Sequence, residues 1–193
     1  LGRALSPIPF SSSVYLATEA ILAAGSNEIK EEWLPKLAAG SSIGCFAVGE
    51  GSGQVTAKSL TTTVDGDKIT GSKIPVADGD VADFAIVITT CGKGDGASAY
   101  LVDLDQSSVT KETVKTIDPS RSHAKLDFDG ATGQLLGKEG EGWALVEKVY
   151  ERAAVLFAWE QVGGSETALE MAKEYAMGRF AFGRPIATYQ AIK

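Results

Sequence analysis

Three stretches of this 193-residue chain hold side chains whose types and spacing suit chemistry. The first is the corner Gly178–Ile192, where Arg179 and Arg184 flank Phe182-Gly183. Gly183 suits the positive φ that ends a helix, and Pro185 suits the first turn of the next, so a helix, a tight turn and a new helix are expected. Two permanently charged forks at such a bend fit an anion such as phosphate or pyrophosphate. On spacing alone, a plain basic corner on the surface is the favoured explanation. The second stretch is Glu151-Arg152, beside the apolar Val149, Tyr150, Val155 and Leu156. That pattern sets Glu151 at the edge of a hydrophobic helix face, where desolvation raises a carboxylate pKa. A solvated glutamate paired with Lys148 or Arg152 fits the same residues. The third is Val48-Gly49-Glu50-Gly51-Ser52-Gly53-Gln54, a glycine-rich loop able to turn backbone N–H groups toward a phosphate, or to be an ordinary turn.

Other reactive residues point nowhere specific. Cys45 and Cys91 lack metal-ligand spacing, and one histidine in the whole chain makes no zinc site. His123 precedes a strand with no catalytic partner near it in sequence and is read as a surface or loop residue. Trp143 and Trp159 are read as core anchors.

The elements that must position these residues fall into three regions. Residues 1–40 carry helical spacing through Val14, Ala17, Ile21 and Leu22, with Gly25 as a C-cap. Trp33–Gly40 then reads as a short helix with Pro35 near its first turn. Residues 41–140 turn to β character, with strand-like runs at 60–64, 84–90, 99–104, 109–114 and 125–128. Asp65-Gly66 is the best hairpin signal, and the spacing of the runs predicts an antiparallel β-barrel or sandwich. Strands and helices do not alternate, which excludes a doubly wound nucleotide fold. Residues 141–193 return to helix, with Trp143, Val146, Val149, Tyr150, Ala153, Leu156 and Trp159 on one stripe. Gly163-Gly164 inside that stripe allows close helix–helix approach at a cost in helix propensity.

Composition bounds the function classes. Apolar residues make up 44% of the chain and charged ones 22%, which is ordinary for a globular protein. A net charge of -7 argues against nucleic acid and against an anionic membrane surface as partners. Two unpaired cysteines and no signal-peptide pattern lead to a cytoplasmic expectation. The chain begins at Leu1 rather than Met and stops at Lys193 within a helical pattern, so a fragment is expected.

The corner motif Arg179-x-x-Phe182-Gly183-x-Pro185-Ile186-x-x-x-Gln190 resembles the C-terminal signature of the acyl-CoA dehydrogenase family. Trp33-Leu34-Pro35-Lys36-Leu37-Ala38-Ala39-Gly40 is similar to that family's entry into its middle domain. The resemblance covers nearly the whole chain, at about half a family member's length. It implies a multi-domain α and β fold: the end of an N-terminal helical domain (1–40), a middle antiparallel β-barrel (41–140) and the start of a C-terminal helical bundle (141–193). It also implies FAD as cofactor and an acyl-CoA thioester as substrate, oxidised between its α and β carbons. A homo- or hetero-oligomer of such subunits, a dimer or tetramer, is implied as well.

By the same resemblance, Glu151 falls where a minority of members carry the base that removes the α-proton. Val48, Glu50 and Ser52 fall on the flavin-binding loop, and Arg179 and Phe182 on residues that reach a neighbouring subunit's flavin. Three positions depart from the pattern. Gly49 stands where a threonine is usual, and Pro75-Val76-Ala77 replaces a Trp-Ile-Thr whose ring and hydroxyl pack on the flavin. These departures resemble the partner-type subunit of heteromeric bacterial enzymes acting on steroid side chains and other bulky acyl-CoAs. Three readings follow: a flavin-holding dehydrogenase, a partner subunit with a degraded flavin surface, and a structural assembly module on the same fold.

Overall fold

The computed structural model describes residues 1–91 and 96–192. Residues 92–95, within the connection between the strands at 84–90 and 97–103, lie outside the described residues. Two compact units result, one of Pro7–Ala154 and one of Leu1–Ser6 with Val155–Lys193.

The larger unit opens with a π-helical segment, Ser11–Thr18, that runs into α1 (Glu19–Ala24). Of the expected stripe, Ala17 and Ile21 are fully buried while Leu22 is 46% exposed, and Gly25 caps the end. Helix α2 (Asn27–Ala39) begins earlier than expected, because Ser26 caps it by accepting from the Ile29 N–H at 3.3 Å. Pro35 consequently lies inside α2 rather than in its first turn. Gly40 ends the helix with φ +68°.

Seven strands make the sheet: β1 (Gly44–Ala47), β2 (Thr63–Asp65), β3 (Lys68–Ala77), β4 (Phe84–Thr90), β5 (Ala97–Asp103), β6 (Val109–Thr113) and β7 (His123–Leu136). The pairings run β4–β2–β3–β7–β5 and return to β4, with β1 added on β4 and β6 on β7. The expected hairpin is present, with Asp65 paired to Lys68 and Gly66 at φ +60° in the turn. The sheet is not wholly antiparallel, contrary to expectation. Strand β1 runs parallel to β4, and β2 meets β4 in parallel at Thr63 and Thr90. A parallel partner needs a long crossover, and the stretch from β1 through the β2–β3 hairpin supplies it.

Strand β4 is buried on both faces, which explains its unbroken apolar run. Phe84, Ile86 and Ile88 point into a core shared with the helices, where Trp33 meets Phe84 at 4.4 Å between ring centroids. Ala85 and Val87 point into a second core with Ile69, Val102, Leu126 and Phe128. The start of α3 (Gly142–Gly178) closes the first core through Val146, Val149 and Ala153.

In the smaller unit the 3-10 turn Gly2–Ala4 lies against α3. A Cβ on Gly2 would stand 1.9 Å from the Glu160 carbonyl oxygen, and one on Gly163 would stand 3.1 Å from the Arg3 nitrogen. The paired glycines of the sequence thus admit a close neighbour, which is this turn rather than a second helix. The expected helix–turn–helix corner is instead a helix end at Gly178 followed by a hairpin, β8 (Phe180–Ala181) with β9 (Arg184–Pro185). Its turn has Phe182 at φ +52° and Gly183 at φ +80°. Two successive positive φ values favour a hairpin turn over a helix break. Trp159, expected in a core, is 71% exposed. Among the described residues α3 is the one long helix of 141–193, where the start of a helical bundle was expected. No described helix is long and apolar enough to cross a membrane.

Candidate functional site

The glycine-rich loop after β1 lies along the middle of β3. Ile74 donates its N–H to the Gly49 carbonyl at 2.8 Å, and its own carbonyl accepts from the Gly51 N–H at 2.8 Å. This pairing sets Val48–Gly51 beside Lys73–Ala77. Val48 is buried, its side chain in the core, while Ser52 is exposed. Gly51 and Gly53 take φ +121° and +116°, with open space where a Cβ would be. Pro75 is exposed and Ala77 half-buried on the same strand.

Glu50 does not turn its carboxylate outward. It meets the fully buried Lys73 Nζ at 2.6 Å and also accepts from Thr61 and Thr62. Lys73 donates further to the Val48 carbonyl at 3.2 Å. Burial pushes the Glu50 pKa up, but hydrogen bonds from Lys73, Thr61 and Thr62 and the charge of Lys73 outweigh it and hold the carboxyl at about 2. Burial in turn pulls the Lys73 ammonium below the usual lysine range, and Glu50 opposes that pull.

Just past Ala77 is a polar network that sequence reasoning missed. Asp78, at φ +57° and 5% exposed, accepts from the Ser12 hydroxyl at 2.6 Å. The Ser122 hydroxyl reaches Asp80 at 2.7 Å and Asp78 at 3.3 Å, and Arg121 donates to Ser11 at 2.7 Å. Ser13 accepts the Gly44 N–H at 3.2 Å. Three successive serines thus fasten the π-helical segment to β1, to the end of β3 and to the approach to β7. Their sequence signal was the run Ser11-Ser12-Ser13 interrupting an apolar helical pattern. His123 belongs to β7 rather than a loop, and its Nδ1 is buried without a hydrogen-bond partner among the described residues.

At the hairpin corner, Arg179 is exposed and Phe182 is 98% exposed. Tyr189 braces the turn: its hydroxyl donates to the Ala181 carbonyl at 2.8 Å, and the Arg184 guanidinium stacks on its ring at 4.1 Å. Arg184 thus lays its planar face on an aromatic ring, and both arginines of the corner stay exposed. Glu151 lies exposed on α3, and its neighbour Arg152 pairs with Glu19 at 2.8 Å. Tyr150 beside it is 48% exposed and stacks edge-on against Phe46.

The family model "Acyl-CoA dehydrogenase, C-terminal domain" matches residues 140–193. An acyl-CoA dehydrogenase of Bacillus subtilis is 34% identical over 190 residues, covering 92% of this chain and 50% of that protein. The chain belongs to the acyl-CoA dehydrogenase family. It spans about half the length of the curated relatives it matches. Among solved members and relatives, a glutaryl-CoA dehydrogenase from Mycobacterium smegmatis in complex with FADH2 superposes with a TM-score of 0.84 at 28% identity. That match covers 94% of this chain and 49% of the other. A steroid ACAD variant superposes with a TM-score of 0.83 at 29% identity, covering 99% of this chain and 51% of its own. An acyl-CoA dehydrogenase fold accounts for the mixed α/β architecture and for the place of the corner motif immediately after the long helix.

Proposed function

We propose that this chain is part of an acyl-CoA dehydrogenase subunit that uses FAD to oxidise an acyl-CoA thioester between its α and β carbons. The observation that carries this is the hairpin corner. Arg179 and Phe182, the two residues the family motif assigns to a flavin, are exposed at the turn, which Arg184 stacked on Tyr189 braces. An exposed guanidinium and an exposed ring fit a flavin dinucleotide, one for the pyrophosphate and one for an apolar face. The loop of Val48, Glu50 and Ser52 fits the same group through its backbone, because Gly51 and Gly53 leave room for close approach and Glu50 is committed internally. The sheet, whose pairings return on themselves, is read as the family's barrel. When bound, FAD supplies the acceptor for the hydride equivalent leaving the β-carbon.

Glu151 takes the α-proton in this scheme. A base needs hydrogen-bond reach to its proton and a dry setting, so the exposed Glu151 requires a substrate or another chain to cover it. Oligomer formation would provide such cover. Val155, Trp159, Val162 and Leu169 are each more than half exposed and share one side of α3 by helix spacing, an apolar stripe that suits another subunit.

A second reading is favoured by one set of positions. Gly49, Pro75 and Ala77 line the loop-and-strand surface without the hydroxyls and the ring expected there, so this subunit's own flavin surface is weak. In that case this chain is the partner subunit and lends Arg179 and Phe182 to the flavin of a flavin-holding neighbour. Arg179→Ala in the full-length assembly tests the shared core of both readings. FAD retention should fall by about 1.5–3 kcal/mol, the worth of a hydrogen bond to a charged group. Unchanged flavin content with slightly lower thermal stability would reject both. Mixing the variant with wild-type chains shows whose flavin is lost.

A further inference from the structure

The Glu50 carboxylate sits where two chain segments meet. One oxygen accepts from the Thr61 N–H at 2.6 Å and the Thr61 hydroxyl at 2.7 Å; the other accepts from the Thr62 N–H at 3.0 Å and from Lys73. Glu50 immediately precedes the segment 51–60 and Thr61 immediately follows it. A single carboxylate therefore gathers both ends of one surface loop. Lys73 reaches the assembly from β3, completely buried, and ties it to the Val48 carbonyl as well. Within the loop Val55 and Ala57 rest on the core, and Thr56 and Ser59 cap each other around a 3-10 turn. What stays outermost is 51–54, the stretch with the two open glycines.

A buried ion pair is poor value for stability, because desolvation offsets its attraction and a neutral pair of similar shape serves about as well. What a neutral side chain cannot do is accept donors from two directions at once. A glutamine in place of Glu50 would turn its NH2 toward either Thr61 or Lys73 and Thr62, and a donor waits on both sides. We propose that Glu50 and Lys73 are positioning residues, which tie the ends of the 51–60 loop together against β3 and so hold the backbone of Gly49–Gly53 in place for its ligand. The ligand is the flavin dinucleotide assigned above, and the proposal rests on that reading for its ligand only.

The test uses the full-length protein with Glu50→Gln and Lys73→Met combined, so that no unpaired charge is left buried. Thermal stability should stay near wild type. Amide hydrogen exchange across 51–60 should quicken by at least about tenfold, and the FAD dissociation constant should rise by about tenfold or more. Unchanged exchange, or faster exchange with unchanged FAD affinity, overturns the proposal. Should the double variant fail to fold, Thr61→Val removes a single donor at the surface. It should speed exchange in the loop about three- to tenfold at a constant unfolding midpoint, and no change there is equally fatal. A wild-type protein that takes up no FAD would reject the flavin reading, while the exchange measurement would still decide whether the pair orders the loop.

Discussion

Phe182 is the sharpest place to separate strain from function. It sits at φ +52° in the hairpin turn and is 98% exposed, so it stores backbone strain and gains almost no burial in return. For an L-residue the left-handed region costs roughly 1–2 kcal/mol. Phe182→Gly removes that cost but gives the unfolded chain more freedom, worth roughly 0.5–1 kcal/mol in the opposite sense. A net stabilisation of about 0.5–1 kcal/mol is expected, raising the unfolding midpoint of the apo-protein by about 1–3 °C. Phe182→Ala keeps the strain and loses the ring, so it should show no such gain. Flavin binding should move the other way in both variants. Loss of an aromatic contact forfeits about 0.5–1.5 kcal/mol beyond buried area, a two- to tenfold weaker FAD dissociation constant. The assays are thermal unfolding without flavin and a FAD titration of the assembled protein. A glycine variant that is less stable, or that binds FAD as tightly as wild type, refutes the idea that strain is kept here to present the ring.

Two further outcomes follow from the geometry. Glu151→Gln should leave fold and flavin content intact, since the side chain is exposed, while turnover of an acyl-CoA falls by about 10²–10⁴-fold; unchanged turnover moves the base elsewhere. For pH, the folded Glu50 carboxyl titrates at about 2 against an ordinary 4.5, so its contribution is complete above about pH 4.5 and is lost as pH falls toward 2. Acid unfolding of the combined Glu50→Gln and Lys73→Met variant, which leaves no unpaired buried charge, should lack this limb, and wild-type-like acid sensitivity there would show that Glu50 is not the group responsible.

Much of this architecture was legible because burial writes a period into the chain. The run Phe84–Thr90 reads as a strand and is one, and Asp65-Gly66 marks a real hairpin. Val146, Val149 and Ala153 obey their stripe, whereas Trp159 does not, since periodicity reports amphipathicity and not which apolar residues find cover within this chain. Pairing direction was illegible at β1, where four buried residues look alike in either orientation. At the corner, Gly183 was correctly read as needing positive φ, but Phe182 adopting it too converts a helix break into a hairpin. Of the residues picked for the site, Arg179 and Phe182 face outward, as the proposed flavin contact requires, while Glu50, picked as a ligand contact, spends its carboxylate on Lys73 and two threonines. A glutamate's acceptors are visible in a sequence; the donors that fold around them are not.

The central claim is that this chain helps hold a flavin used to oxidise an acyl-CoA. The most direct test is the visible absorbance spectrum of the purified full-length protein, alone and with acyl-CoA dehydrogenase-type partner subunits, before and after an acyl-CoA is added without oxygen. The account predicts a yellow protein or complex whose flavin absorbance bleaches on addition of substrate, and loses its flavin with Arg179→Ala. A preparation that stays colourless with added FAD and partner subunits, or a bound flavin that no acyl-CoA bleaches, would contradict it.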